Sequence, residues 1–202
     1  MRSSPSAKLT GVHADLIVHN PSVSNQQFSA GGVHIQSVTE AINQTDSIQT
    51  GWMVHSSLLG DTQTHAYAKW TSGGNKRLYG YNVPRFRASP QRNPVNFILR
   101  NEFCMKNLNT GDWWLQYNFE ELIGYWPKQL FTGLQSSNRE IAWGGAVYSE
   151  SSPSPVMGSG RFAEEGWGYA AFVANHATTR NIIFYNHSKM LQNTITTFIK
   201  MS

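Results

Sequence analysis

The chain is poor in the residues on which most functional readings of a sequence rest. It has one cysteine, Cys104, in 202 residues, which excludes an internal disulfide and a thiolate-built metal site. Charged residues make up only 14%, well below the roughly 25% of a typical soluble domain. The surface must therefore be rich in Ser, Thr, Asn and Gln, as in many extracellular β proteins. No apolar run approaches the ~18 residues of a membrane span, and Met1 to Lys8 lacks the apolar core of a secretory signal. The seven histidines contain no His-x-His or His-x-x-x-His pair and no Gly-x-Ser-x-Gly word occurs, so neither a metal hydrolase nor a serine elbow is indicated. A sustained helical period is missing too: nowhere do apolar residues recur every 3.6 positions over ten or more residues.

What is present is a series of short extended runs divided by turn chemistry. Ala14 to Val18, Val33 to Val38, Ile48 to Val54 and His65 to Trp70 are followed by Val95 to Leu99, Trp113 to Phe119, Ile141 to Tyr148, Tyr169 to Val173 and Ile182 to Tyr185. Pro21, Asn25, Gly31-Gly32 and Asn43 punctuate the first of them. Short strands at such spacing predict an all-β fold, an antiparallel β-sandwich of two packed sheets. One short helix is expected near 127–134, where Pro127 suits a first helical position. Residues 1–9 read as a disordered N-terminal segment, 10–187 as the sandwich domain and 188–202 as a divergent C-terminal segment. Ser149 to Pro155 reads as a flexible loop able to overhang a groove.

The formal charge of +4 is unevenly placed. Lys76, Arg77, Arg85, Arg87, Arg92 and Arg100 fall in a stretch without Asp or Glu, which reads as a solvated basic loop. No nucleic-acid fold motif accompanies it, so nucleic acid is not expected as a partner. Asn43-Gln44-Thr45 and Asn186-His187-Ser188 are glycosylation sequons, meaningful only if the chain is secreted. Oligomeric state leaves no signature here.

The specific signal is a set of words in fixed order: Asp112-Trp113-Trp114-Leu115, Ile123-Gly124-Tyr125-Trp126-Pro127, Trp143-Gly144-Gly145-Ala146-Val147-Tyr148 and Met157-Gly158-Ser159-Gly160. Before them stand Gln27-Phe28-Ser29, Ile48-Gln49-Thr50-Gly51-Trp52-Met53-Val54, Gly60-Asp61-Thr62 and Tyr67 to Thr71, and after them Glu165 to Phe172. Together they resemble the neprosin domain, a plant family of secreted glutamic peptidases, over roughly residues 10–175. The resemblance implies a two-sheet sandwich with a cleft on one sheet, secretion, no metal or other cofactor, and a pair of glutamates that hydrolyse peptide bonds after proline. Such a pair suits the reaction because one carboxyl group takes a proton from water while the other polarises the carbonyl.

The departures from that pattern bear on activity. The first glutamate falls on Gln49 and the second on Ala146. An amide at the first position can still stabilise an oxyanion, whereas a methyl group at the second can neither accept nor donate a proton. The resemblance thus predicts a proline-directed peptidase by descent, impaired as an enzyme, with a non-catalytic binding module for proline-rich peptides or cell-wall glycans as the alternative. Trp52, Trp114, Tyr125, Trp126, Trp143 and Tyr148, with Ser159 beside them, are the candidate groove lining, since aromatic faces stack on proline rings and sugars. Adjacent strand residues face opposite ways, so one of each neighbouring pair should be core instead. The family's two-cysteine word is reduced to Gly80-Tyr81-Asn82-Val83-Pro84-Arg85-Phe86, and the leader typical of the family is missing from Met1 onward, which fits either a fragment or a cytosolic chain.

Overall fold

The structure is a computed structural model, and it describes residues 9–37, 45–73, 75–81, 99–117, 121–135, 139–166, 169–179 and 199–200. The strands are β1 (Gly11–Ile17), β2 (Phe28–Ser37), β3 (Ser47–Val54), β4 (His65–Ser72), β5 (Asn75–Tyr81), β6 (Leu99–Lys106), β7 (Trp113–Tyr117), β8 (Glu121–Trp126), β9 (Arg139–Tyr148), β10 (Val173–Thr179) and β11 (Ile199–Lys200). One sheet runs β10-β1-β6-β7-β8-β11 and the other β5-β4-β3-β2-β9. All pairings are antiparallel except the short β11 against β8. The expected all-β sandwich is what the chain forms.

Period-two alternation decides which residues meet between the sheets. From the five-stranded sheet Val33, Ile35, Ile48, Trp52, Ala66, Ala68, Trp70, Ile141 and Trp143 point inward. They meet Val12, Ala14, Leu16, Cys104, Trp113, Leu115, Tyr117 and Trp126 from the other sheet. The intervening residues of β2, β3 and β9 (His34, Gln49, Ala142 and Ala146 among them) therefore lie on the outer face. That face carries the candidate site.

Several segments differ from expectation. The helix predicted at 127–134 is two 3₁₀ turns, Lys128–Leu130 and Gly133–Gln135. Pro127 stays extended at ψ 143°, and Phe131 is extended between the turns. Phe131 and Leu134 are both buried in the core, and the extended backbone at Phe131 breaks the run into two turns. Among the described residues the one α-helical turn is α1 (Ser56–Leu59), closed by Gly60 in the left-handed region at φ 84°. Lys76 and Arg77, read as loop cations, lie on β5 at a sheet edge, where charge discourages edge-to-edge association. The run read at Tyr169 to Val173 is displaced, with the strand beginning at Val173. The loop read as flexible at Ser149 to Pro155 is tied to the start of β2: Gln27 Nε2 donates to Ser149 Oγ at 2.9 Å and to the Pro153 carbonyl at 3.0 Å. Residues 1–8, 82–98, both sequon asparagines and 180–198 lie outside the described residues.

Candidate active site

The outer face of the five-stranded sheet holds a cleft of about 210 Å³. Its walls include Gln49 of β3, His34 of β2, Tyr67 of β4, and Ala142 and Ala146 of β9. The two positions that the motif words assign to catalytic glutamates thus line one concavity, although ninety-odd residues of chain separate them. Register shows how. Gln49 pairs with His34, which pairs on its other side with Ala142, while Ala146 pairs with Ala30. Ala146 therefore stands two strands across from Gln49 and four residues further along β9. In an untwisted sheet that is about 10 Å across and about 13 Å along, so the two positions mark opposite ends of the cleft.

Its floor is glycine for a steric reason. Gly32 faces Gly51 on one side and Gly144 on the other. A Cβ on Gly32 would collide with the Thr50 carbonyl oxygen and come within 2.9 Å of its carbon. Gly51 has φ +153°, and a Cβ there would strike the Gly31 carbonyl. Gly31 in turn lies against the Trp52 indole, whose Nε1 would be 2.7 Å from an added Cβ. Close strand approach and one buried tryptophan exclude side chains at Gly31, Gly32 and Gly51, while Gly144 is open to one.

The aromatic candidates separate into four groups. Trp52 and Trp143 lie beneath the cleft, pointing inward: the Trp143 indole N–H donates to the His13 carbonyl of the opposite sheet at 3.3 Å, while its backbone lines the cleft. Trp126 is in the core, fully buried and edge-on to Trp70 with centroids 6.2 Å apart. Trp114 and Tyr125 stack at 4.9 Å on the outer face of the other sheet. Tyr148 alone extends the cleft face, two residues beyond Ala146. Its ring stacks on Phe28 at 5.8 Å, and Phe28 stacks on His55 at 5.7 Å. Ser159 belongs to its own turn, accepting the Arg161 N–H at 3.3 Å, and does not line the cleft. His34, Tyr67, Phe28 and His55 were not singled out as site residues from sequence. Phe28 and Tyr67 had a signal, their places in the Gln27-Phe28-Ser29 word and the Tyr67 to Thr71 stretch.

Electrostatically the lining is bare. Among the described residues none of its members is a carboxylate, lysine or arginine. The nearest acids along β9 are engaged elsewhere: Glu140 accepts from Gln36 Nε2 at 2.6 Å, and Glu150 from the Tyr148 hydroxyl at 3.3 Å. Asp61 caps its own turn, taking the Gln63 N–H at 2.9 Å, and pairs with His65. The His65 hydrogen bond, and then that of Gln63, holds its carboxyl below the usual range. Behind the cleft, His19 lies edge-on to Trp52 with centroids 5.8 Å apart, and burial pushes its pKa down to about 4.

A two-sheet β-sandwich with a cleft on one sheet is the class of architecture that the motif words imply. The Neprosin family model matches residues 25–87 and 89–200. The chain belongs to the neprosin family, which gives it a peptidase-family origin. Among the described residues no helix is long and apolar enough to cross a membrane.

Proposed function

We propose that this chain receives an extended, proline-containing peptide in the cleft and hydrolyses it poorly or not at all. The supporting observation is that Gln49 and Ala146 line the same cleft with no carboxylate among its described walls. Hydrolysis requires a group that takes a proton from water and a donor for the oxyanion. The Gln49 amide supplies a donor. Ala146 supplies nothing, and loss of a general base costs about 10²- to 10⁴-fold in rate. His34, cross-strand from Gln49, is the one residue in the lining with an imidazole, so residual turnover would run through it.

Binding needs less. A floor without side chains lets a peptide backbone lie close to the sheet, and the Phe28–Tyr148 pair offers a flat face to a pyrrolidine ring. The same face would serve a cell-wall sugar, which keeps a glycan-binding module as the second reading. Secretion follows from the family resemblance and is part of the proposal.

The test is incubation of the purified protein with a quenched fluorescent proline-containing peptide in mild acid. We expect negligible turnover, and gain of cleavage in a Gln49→Glu, Ala146→Glu double variant. Efficient wild-type turnover that disappears in Gln49→Ala would overturn the reading. A folded double variant without any gain would count against the assignment of the two positions.

A further inference from the structure

The Arg139 end of β9 carries a second concavity, of about 420 Å³, lined by Thr10, Lys106, Asn109, Lys128, Gln135 and Arg139 among others. Two of its cations are buried: Lys106 is 8% exposed and Arg139 4%. Buried charges are costly unless paired, and the partners of these two are backbone carbonyls. Lys106 Nζ reaches the Leu134 and Gln135 carbonyls only at 3.4 Å each. Arg139 Nε donates to Leu134 O at 3.1 Å, its Nη1 donates to Leu9 O, and its guanidinium lies 5.4 Å from the centre of the Trp113 ring.

No carboxylate lines the pocket among the described residues. Two carboxylates that hold the neighbouring 128–134 segment are committed to backbone amides. Asp112 Oδ1 accepts the Lys128 N–H at 2.9 Å, and Asp46 Oδ2 accepts from Gly133 at 2.5 Å and Leu134 at 3.4 Å. The third cation stands at the mouth: Lys128 is exposed, its stem running over Gly111, where an added Cβ would be 3.1 Å from Lys128 Cδ. Asn107 Oδ1 fixes the turn behind it by accepting the Asn109 and Thr110 N–H groups at 2.9 and 3.2 Å.

We propose that this pocket binds a compact oxyanion, phosphate or sulfate, held between Lys106, Arg139 and Lys128. Three positive charges with polar neighbours and no acid suit a group carrying about two negative charges and several acceptor oxygens. The charge state of the pocket agrees: burial, with the Arg139 charge adding, pushes the Lys106 ammonium down to about 8. An anion beside it would reverse that shift.

The experiment is calorimetric titration of the full chain with inorganic phosphate, at ionic strength held constant with sodium chloride. Saturable one-to-one binding is expected, weakened at least about tenfold in Lys106→Met and in Lys128→Ala and unchanged in Arg161→Ala, a surface cation elsewhere. Lys128 is exposed, so its variant keeps the test available should Lys106→Met fold badly. In parallel, the Lys106 Nζ titration followed by NMR should rise by about one unit or more on adding phosphate. No heat of binding with an unmoved Lys106 midpoint overturns the proposal, as does equal weakening by Arg161→Ala. Competition by O-phosphoserine would place the group on a phosphorylated partner and lack of competition would make it a free ion; both support an oxyanion site.

Discussion

The cleft over the five-stranded sheet and the pocket at Arg139 are built from opposite materials. The cleft over Gly31, Gly32 and Gly51 has shape without charge: its walls are glycine, alanine, an amide, an imidazole and a phenol. The pocket at Arg139 has charge without a counter-charge, two buried cations held by carbonyl dipoles. The difference separates two ways in which a fold stores function. A cleft made by strand register survives the loss of its reactive groups, because Gln49 and Ala146 hold none of the sheet together. The Arg139 pocket depends on its ionic side chains, which also bind the 3₁₀ turn at Leu134 to the end of β9. Activity can be lost from the first region at little cost to stability, and little can be removed from the second without it.

The sharpest way to break that contrast is to fill the cleft floor. Gly32→Ala places a methyl group against the Thr50 carbonyl in the centre of the five-stranded sheet, where backbone on both sides leaves no room to relax. We expect destabilisation of more than about 4 kcal/mol, in the range reserved for such strain, read by urea unfolding or by loss of soluble protein. Gly144→Ala is the paired control: nothing lies within 4 Å of an added Cβ there, and a change within about 0.5 kcal/mol is expected for an unobstructed exposed site. Similar losses in both would mean that the register drawn for β2 and β3 is wrong.

Next in size is the pH response of His19. Its pKa of about 4 lies below the ordinary 6.5 because burial disfavours the charged ring. The unfolded chain therefore binds more protons between those values, and the stability His19 contributes, complete above about pH 6.5, is lost as pH falls toward 4. A shift of that size corresponds to at most about 3 kcal/mol. His19→Phe should flatten the fall by that amount in urea unfolding between about pH 7 and pH 4, and an unchanged slope would remove His19 as its cause. Peptidase assays in acid belong in the upper part of this window, where the wall behind the cleft is intact.

Much of this was legible in the sequence. Alternation and turn chemistry gave the sandwich, and the ordered words placed Gln49 and Ala146, which register then brings into one cleft. Cross-strand neighbours were not legible. His34 faces Gln49 only because the β2–β3 hairpin pairs them, and no spacing along the chain carries that fact. The aromatic words misled for a related reason: Trp113 and Trp126 are buried as neighbours across β7 and β8, so the Trp-Trp and Tyr-Trp pairs build core on one side and the Trp114–Tyr125 stack on the other, away from the cleft. The helix near Pro127 failed because the chain goes extended at Phe131, between two 3₁₀ turns, a tertiary override that local preference does not carry. Lys106 and Arg139, distant in sequence and ordinary in type, gave no signal at all.

The smallest effect on stability separates binding from fold most cleanly. Tyr148 is 48% exposed, and its hydroxyl makes one hydrogen bond of 3.3 Å to the exposed Glu150. Truncation to alanine should cost no more than about 1 kcal/mol, mostly from losing the stack on Phe28. The same change removes the more exposed half of the Phe28–Tyr148 face beyond Ala146, so a polyproline or glycan matrix that retains the wild type should release Tyr148→Ala at least about tenfold more readily, a 1.4 kcal/mol difference. Retention that survives in Tyr148→Ala would move the ligand off the Phe28–Tyr148 face and toward the Gln49 end, where His34 and Tyr67 would have to carry it.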